Sequence, residues 1–302
     1  MNVNNSVAAL VVTFNPDSSD LVCLINSLST QVGSIIIIDN NSKNISDWQT
    51  LTENKQVVLI PLRENVGIAE AQNRGIIRAA EIMKISHCII FDQDSSVPHN
   101  FVEKLVAADK ILKIHNKVAS VGPICKDEES GNYYPISKMK GFRLKNIYPD
   151  KGHEYIEASF LISSGSLISL DVFKKVGLMN GSFFIDNVDL EWGFRACSNG
   201  FKHFAVCDVI MKHKIGNKNK KLLGKSYFIH SEFRQYYKVR NSLWMLKIKE
   251  VPLGYKIRYL ALLPVKLILG VFIADKKLEH VKQTLKGLKD GALLRVGGIN
   301  YL

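Results

Sequence analysis

Four short apolar runs, at residues 7–12, 35–38, 57–60 and 88–91, recur through the N-terminal third of the chain. They are rich in β-branched residues and nearly continuous, the pattern of strands covered on both faces of a parallel sheet. Between the last two runs, residues 67–84 space Ile68, Ala71, Ile76, Ala79, Ala80 and Met83 as one apolar stripe on a helix. A further helix and strand, at about 101–115 and 118–121, continue the alternation. Strands alternating with helices predict an open α/β sheet. Residues 126–155 are polar, aromatic and interrupted by Gly and Pro, which predicts a loop or hairpin excursion. Apolar structure resumes at 156–170, and a helix is predicted at about 187–199. From Tyr227 the pattern predicts helix almost to the end, with a Pro-interrupted apolar stretch at 259–274. That stretch is shorter than the about 20 residues that cross a bilayer, and Lys266 sits in its middle.

Charge changes the picture once it is located. The net charge is +12, but residues 202–302 carry +15 and residues 1–201 carry −3. The basic third points to an anionic partner: nucleic acid, an anionic membrane surface or a phosphorylated acceptor. The five cysteines are scattered without a CxxC pair, which fits a reducing compartment and offers no zinc framework. The start of the chain, MNVNNSVAALVV, lacks the basic region of a signal peptide, so the expected location is the cytosol.

The candidate chemistry lies at the strand ends, where open α/β sheets bind ligands. The four runs end in Thr13-Phe14-Asn15, Asp39-Asn40-Asn41-Ser42, Arg63-Glu64-Asn65 and Asp92-Gln93-Asp94. One such cluster is an ordinary turn; four on one sheet edge suggest a site. Neither GxGxxG nor GxxxxGK[ST] is present, so no glycine-rich phosphate loop is expected. Asp92 and Asp94, two apart and facing the same way if extended, suit a hard divalent cation that bridges substrate phosphates.

The ordered stretches VVTFNP, IIDNNS, ENVGIAEAQNRGI and FDQDSS resemble the nucleotide-binding half of family 2 glycosyltransferases with the GT-A fold. FFIDNVDLEWGFRACSNGFK resembles the family's acceptor-side motif, and DQDS with FIDxVDxEW is most similar to its bacterial rhamnosyltransferases. The resemblance covers about residues 6–245. It implies a Rossmann-like, mostly parallel open sheet flanked by helices, with a helical C-terminal extension. It divides the chain into a catalytic domain, 1–245, with a nucleotide-sugar half at 1–125 and an acceptor half at 126–245. Residues 246–302 form a basic helical segment outside the resemblance.

The resemblance also implies roles. Thr13, Asn15, Asp39, Arg63, Asn73, Asp92 and Gln93 would bind the donor, and Asp94, with Asp92 and His213, would hold Mg²⁺ or Mn²⁺. Asp189 would be the catalytic base, and Ser164, Gly165, Glu191 and Arg240 would face the acceptor. Val188 stands where the family has the first acid of a Glu-Asp pair. Taken alone, Asp186 and Asp189 are acids favoured at a helix start, and Asp186 keeps that reading. His213 alone is an ordinary histidine; the face of Arg234, Tyr236, Tyr237, Arg240, Asn241 and Trp244 is either snorkelling over a core or a grip on an acceptor phosphate, and the acceptor role is the one expected here.

The implied activity is inverting transfer of a sugar, L-rhamnose from dTDP-L-rhamnose, onto a lipid-linked oligosaccharide in polysaccharide synthesis. Another nucleotide-sugar, such as a UDP-sugar, stays open as donor. The expected location is peripheral, on the anionic inner face of the membrane. A nucleotidyltransferase would leave Asp189 without a role. A nucleic-acid-binding protein is disfavoured by acids at the strand ends and by the absence of a recognised motif.

Overall fold

Each apolar run forms a strand whose alternate residues feed opposite faces of one sheet. The computed structural model describes residues 4–127, 131–149, 152–213, 219–222, 225–228 and 231–294. Strands β1 (Asn4–Thr13), β2 (Val32–Asp39), β3 (Val57–Pro61) and β4 (His87–Asp92) lie parallel in the order β3-β2-β1-β4. The sheet continues through β9 (Leu167–Ser169), β5 (Val118–Asp127), β10 (Lys202–His213) and β8 (Tyr155–Ala158), with β8 and β9 running against the rest. The expected mostly parallel α/β sheet is present.

Helices cover both faces. Val7, Ala9 and Val11 pack with α1 (Ser18–Ser29) and α3 (Phe101–Leu112) through Leu21, Leu24 and Leu105. Their neighbours Ala8, Leu10 and Val12 pack on the other face with α2 (Gly67–Glu81), α4 (Leu170–Val176) and α5 (Val188–Ser198). A strand buried on both sides has no polar face to show, which is why the runs are continuous.

The polar excursion contains a hairpin, β6 (Ile136–Lys140) and β7 (Arg143–Ile147), as expected. Tyr227, however, lies in a second hairpin, β11 (Asn219–Leu222) and β12 (Lys225–Phe228), rather than in helix. Helix α6 (Glu232–Lys247) begins only where Ser231 can cap it, its side chain accepting from the Arg234 amide at 3.4 Å.

Two helices close the chain, α7 (Leu253–Ile273) and α8 (Lys277–Ala292). Helix α8 lies close on α6: a Cβ at Gly287 or Gly291 would stand 2.7 Å from the Tyr236 carbonyl or 2.9 Å from that of Arg240. Helix α7 is longer than the apolar stretch suggested, because Pro264 lies inside it without ending it. Its length therefore does not keep it from spanning; Lys256, Arg258 and Lys266 interrupt its apolar character. Among the described residues no helix is long and apolar enough to cross a membrane.

Register sets up the site. Thr13 pairs with Asp39, Asp39 with Pro61, and Val12 with Asp92, so the polar strand ends form one edge.

Candidate active site

On the nucleotide side, the Thr13 hydroxyl donates to Asp39 Oδ1 at 3.0 Å, and Asp39 Oδ2 accepts from the Ser42 amide at 2.9 Å. Both residues are buried, so the carboxylate is fixed by its neighbours. Asn15, in the left-handed region with φ 47°, accepts from the Lys43 amide and donates its own amide to Ser42 Oγ, both at 2.8 Å. Arg63 is exposed in the loop after β3. Asn73 is buried, and its amide group clamps the Met179 backbone with two 2.9 Å bonds.

Gln93 Oε1 accepts from the Phe14 amide at 2.7 Å, tying the end of β4 to the end of β1. The chain turns there, with the Ser95 amide donating to the Asp92 carbonyl at 3.1 Å. The extended spacing expected for Asp92 and Asp94 therefore stops at Asp92, and Asp94 stands exposed in the turn. Ser164 lies beneath them, accepting from the Asp92 amide at 3.2 Å and pairing with Ser95 Oγ at 2.9 Å. Gly165, at φ +82°, permits that approach, since a Cβ would stand 2.8 Å from the Pro123 ring. Ser164 is thus buried behind the strand end.

The loop before α5 is strained. Phe184, Asp186 and Asn187 have φ of 62°, 66° and 61°, unusual for residues other than glycine. Arg234 Nε donates to both Asp186 oxygens at 3.0 Å, and its Nη2 reaches Oδ1 at 2.9 Å. Arg240, expected on the acceptor side, is fully buried instead. Its Nη2 donates to the carbonyls of Ser182 and Phe183 at 2.8 and 3.1 Å, and its guanidinium lies 4.3 Å from the Trp244 ring centre. Asn241 Nδ2 donates to the carbonyls of Phe183, Ile185 and Asp186 at 2.7–2.9 Å.

Asp189 sits in the first turn of α5, its Oδ1 accepting from the Leu190 amide at 2.9 Å. Burial pushes its carboxyl up to about 6, the Leu190 bond opposes the rise, and the charges of Asp92 and Asp186 add to it. Asp189 therefore feels the charge of Asp92 at the end of β4 and that of Asp186 in the strained loop. Glu191 turns inward: both its oxygens pair with Arg195, at 2.8 and 2.9 Å, and Arg195 also donates to the Val176 and Leu178 carbonyls. His213 closes β10 in register with Asp127, and its side chain lies outside the described residues.

Neighbouring carboxylates raise one another, as Asp92 raises Asp189, and a divalent cation relieves such repulsion. The hard oxygens of Asp92 and Asp94 fit Mg²⁺ or Mn²⁺. Among the described residues no three His, Cys, Asp or Glu gather as a full ligand set.

The sequence profile "Glycosyl transferase family 2" matches residues 9–177, the segment that carries β1 through Asp92 and Asp94. The chain belongs to this family. It is 35% identical to "dTDP-rhamnosyl transferase RfbF" of Shigella flexneri over 99% of both chains. It is 19% identical to "Low-salt glycan biosynthesis hexosyltransferase Agl10" of Haloferax volcanii, over 95% of this chain and 92% of that one. Among solved structures, GalNAc-T7 with UDP, GalNAc and Mn²⁺ superposes with a TM-score of 0.62 at 17% identity, over 95% of this chain. This chain spans 56% of that one. S. aureus TarS superposes with a TM-score of 0.56 at 13% identity, over 95% of this chain and 80% of that one. These likenesses show the GT-A fold; in this family 2 glycosyltransferase the C-terminal helix α8 contacts α6 and α7.

The sequence pattern alone makes Asp186 a helix-start acid and puts Arg234 and Asn241 on a helix face that covers a core or grips an acceptor phosphate. The structure makes them the brace of the loop. The one available signal was the aromatic company of Arg240 and Asn241, which marks a buried helix face.

A raised carboxyl pKa means that the folded chain holds the Asp189 proton more tightly than the unfolded chain between pH about 4 and 6. Stability is lost as pH rises through that window. Asp189→Asn is therefore expected to stabilise the protein by on the order of 1–3 kcal/mol at pH 8 and by little at pH 4. Thermal melts at the two pH values check this; an equal or negative difference at pH 8 would count against the desolvated, repelled carboxylate.

Proposed function

We propose that this glycosyltransferase moves L-rhamnose from dTDP-L-rhamnose onto a lipid-linked oligosaccharide, with inversion, in polysaccharide synthesis. The observation that supports the reading is Asp189, a carboxyl raised to about 6 in the first turn of α5 and under the charge of Asp92, the acid that ends β4. The 35% identity with a dTDP-rhamnosyl transferase over the whole chain supports the donor.

Asp189 takes the proton from an acceptor hydroxyl while that oxygen attacks the anomeric carbon. The bond from the anomeric carbon to the diphosphate breaks in the same displacement, and the diphosphate leaves with the electron pair. A carboxylate with a pKa near 6 is a better base than an ordinary aspartate and is still ionised at neutral pH. Glu191, occupied by Arg195, is not free for this task. Thr13, Asp39 and Asn15 frame the nucleoside end, with Arg63 at the open rim. Asp94 and Asp92 would hold Mg²⁺ or Mn²⁺, with His213 as a further candidate ligand. That ion would offset charge developing on the leaving diphosphate.

The exposed apolar face of α7 supports the proposed location. Leu253, Ile257, Leu260, Val265, Ile268 and Phe272 are each about half exposed or more, from 49% to 67%. Together with Lys256, Arg258 and the lysines of α8, they suit peripheral attachment to an anionic membrane.

Calorimetry with Mn²⁺ should show dTDP-L-rhamnose binding at least about 10-fold tighter than UDP-N-acetylglucosamine. The reverse order would replace the proposed donor. Asp94→Ala should remove the metal-dependent part of that affinity; full retention would dismiss Asp94 as a ligand. In co-sedimentation, the protein should pellet with vesicles containing phosphatidylglycerol, less so at high salt, and not with neutral vesicles. Equal recovery in the supernatant for both lipids would rule out the membrane reading.

A further inference from the structure

A cavity of about 330 Å³ lies between α6, α7 and α8. Its size is that of a small-molecule site, in the range of about 300–1,000 Å³. Leu263, Leu267, Leu269 and Ile273 of α7 give it apolar walls, and Asn187, two residues before Asp189, lines it as well.

Three nitrogen-bearing side chains are part of its lining. Lys238 comes from α6, Lys266 from α7 and His280 from α8. Neither lysine makes an ion pair with a carboxylate of the described residues; the Lys266 ammonium instead lies 4.7 Å from the Tyr259 ring centre. His280 is 8% exposed, and its Nε2 is buried without a hydrogen-bond partner. Gly270 makes room for that imidazole, since a Cβ there would stand 2.7 Å from Nε2. Glu232 and Asp275 are the acids in the lining. Desolvation lowers the pKa of His280 and of both lysines, although the lysine side chains keep exposed surface. Lys238 lowers Lys266 and His280 further, Asp186 and Glu232 oppose the fall at Lys238 and His280, and a bound anion would relieve all three.

Two cations without a carboxylate partner and an unpartnered imidazole nitrogen, in a lining otherwise rich in leucine and isoleucine, match an amphiphile with an anionic head. We propose that this cavity seats a lipid phosphate, the carrier end of the acceptor, with Lys238, Lys266 and His280 around the phosphate and Leu263, Leu267 and Ile273 along the hydrocarbon. The assignment rests on the lipid-linked acceptor proposed above. It gives the C-terminal helices a role in acceptor selection, with the bound lipid entering beside the loop that carries Asp189.

The test uses the full-length protein in EDTA, which keeps divalent metal out of the nucleotide site. Farnesyl phosphate is the probe, with farnesol and inorganic phosphate as the other two arms, each titrated by calorimetry. Farnesyl phosphate should bind at least about 10-fold tighter than either. Lys238→Glu combined with Lys266→Glu, and separately Leu267→Asp, should each weaken it by about 10-fold or more while dTDP affinity with Mn²⁺ stays unchanged. The lysine pair is at the surface and its replacement spares the core, so that variant remains informative if Leu267→Asp unfolds. No binding of farnesyl phosphate, or unchanged binding in the lysine variant, overturns the site. Inorganic phosphate binding as tightly as farnesyl phosphate overturns the lipid assignment. No donor or transfer step enters the assay, so an error in the donor assignment leaves its outcome intact.

Discussion

The structure depends on the grip that Arg240 and Asn241 exert on the backbone carbonyls of residues 182–186. A loop with three left-handed non-glycine residues costs on the order of 1–3 kcal/mol at each and persists only where its surroundings over-determine it. Here a buried guanidinium and a side-chain amide supply those surroundings from α6, and Arg234 adds an ion pair to Asp186. The same loop reaches the other half of the molecule. The Phe184 carbonyl accepts from the Ile68 amide at 2.6 Å at the start of α2, and the Phe184 ring stacks on Tyr237, with centres 4.7 Å apart. Gly67, at φ +82°, allows this contact, because a Cβ would stand 2.6 Å from the Phe184 ring. One short segment thus joins the start of α2 to α6.

That junction explains the state of Asp189. A carboxylate in the first turn of a helix is ordinarily favoured by the helix dipole. Burial and the neighbouring charges of Asp92 and Asp186 outweigh that advantage and leave the group poised near neutrality. The arrangement is unfavourable for stability and useful for proton abstraction, a trade common at reactive sites.

Much of the fold was legible in the sequence because it depends on local pattern. Continuous runs such as IIII before Asp39 mark a strand buried on both faces, and Gly67 through Glu81 carry a helical stripe. The strand-end polar clusters were legible as well, since topology brings such ends together. What the pattern could not show is direction in space. Glu191 and Arg240 are charged residues that a linear reading turns outward, yet each is buried because its partners, Arg195 and distant carbonyls, accept it. Asp186 and Asn187 are of the types that best tolerate the left-handed region after glycine, but Asp and Asn recur along the chain and type alone does not mark which of them adopt it. Tyr227 was drawn into a helix because its neighbours resemble one, whereas pairing with Lys220 across a hairpin decides its conformation.

The central claim is that Asp189, held by this loop, is the base of the transfer step. The pH dependence of kcat with saturating donor and acceptor tests it most directly. A single ionisation near pH 6, with rate rising above it, is expected in the native enzyme, together with a loss of about 10²-fold or more and a flat profile in Asp189→Asn. A variant that keeps near-native kcat with the same ionisation would contradict the account.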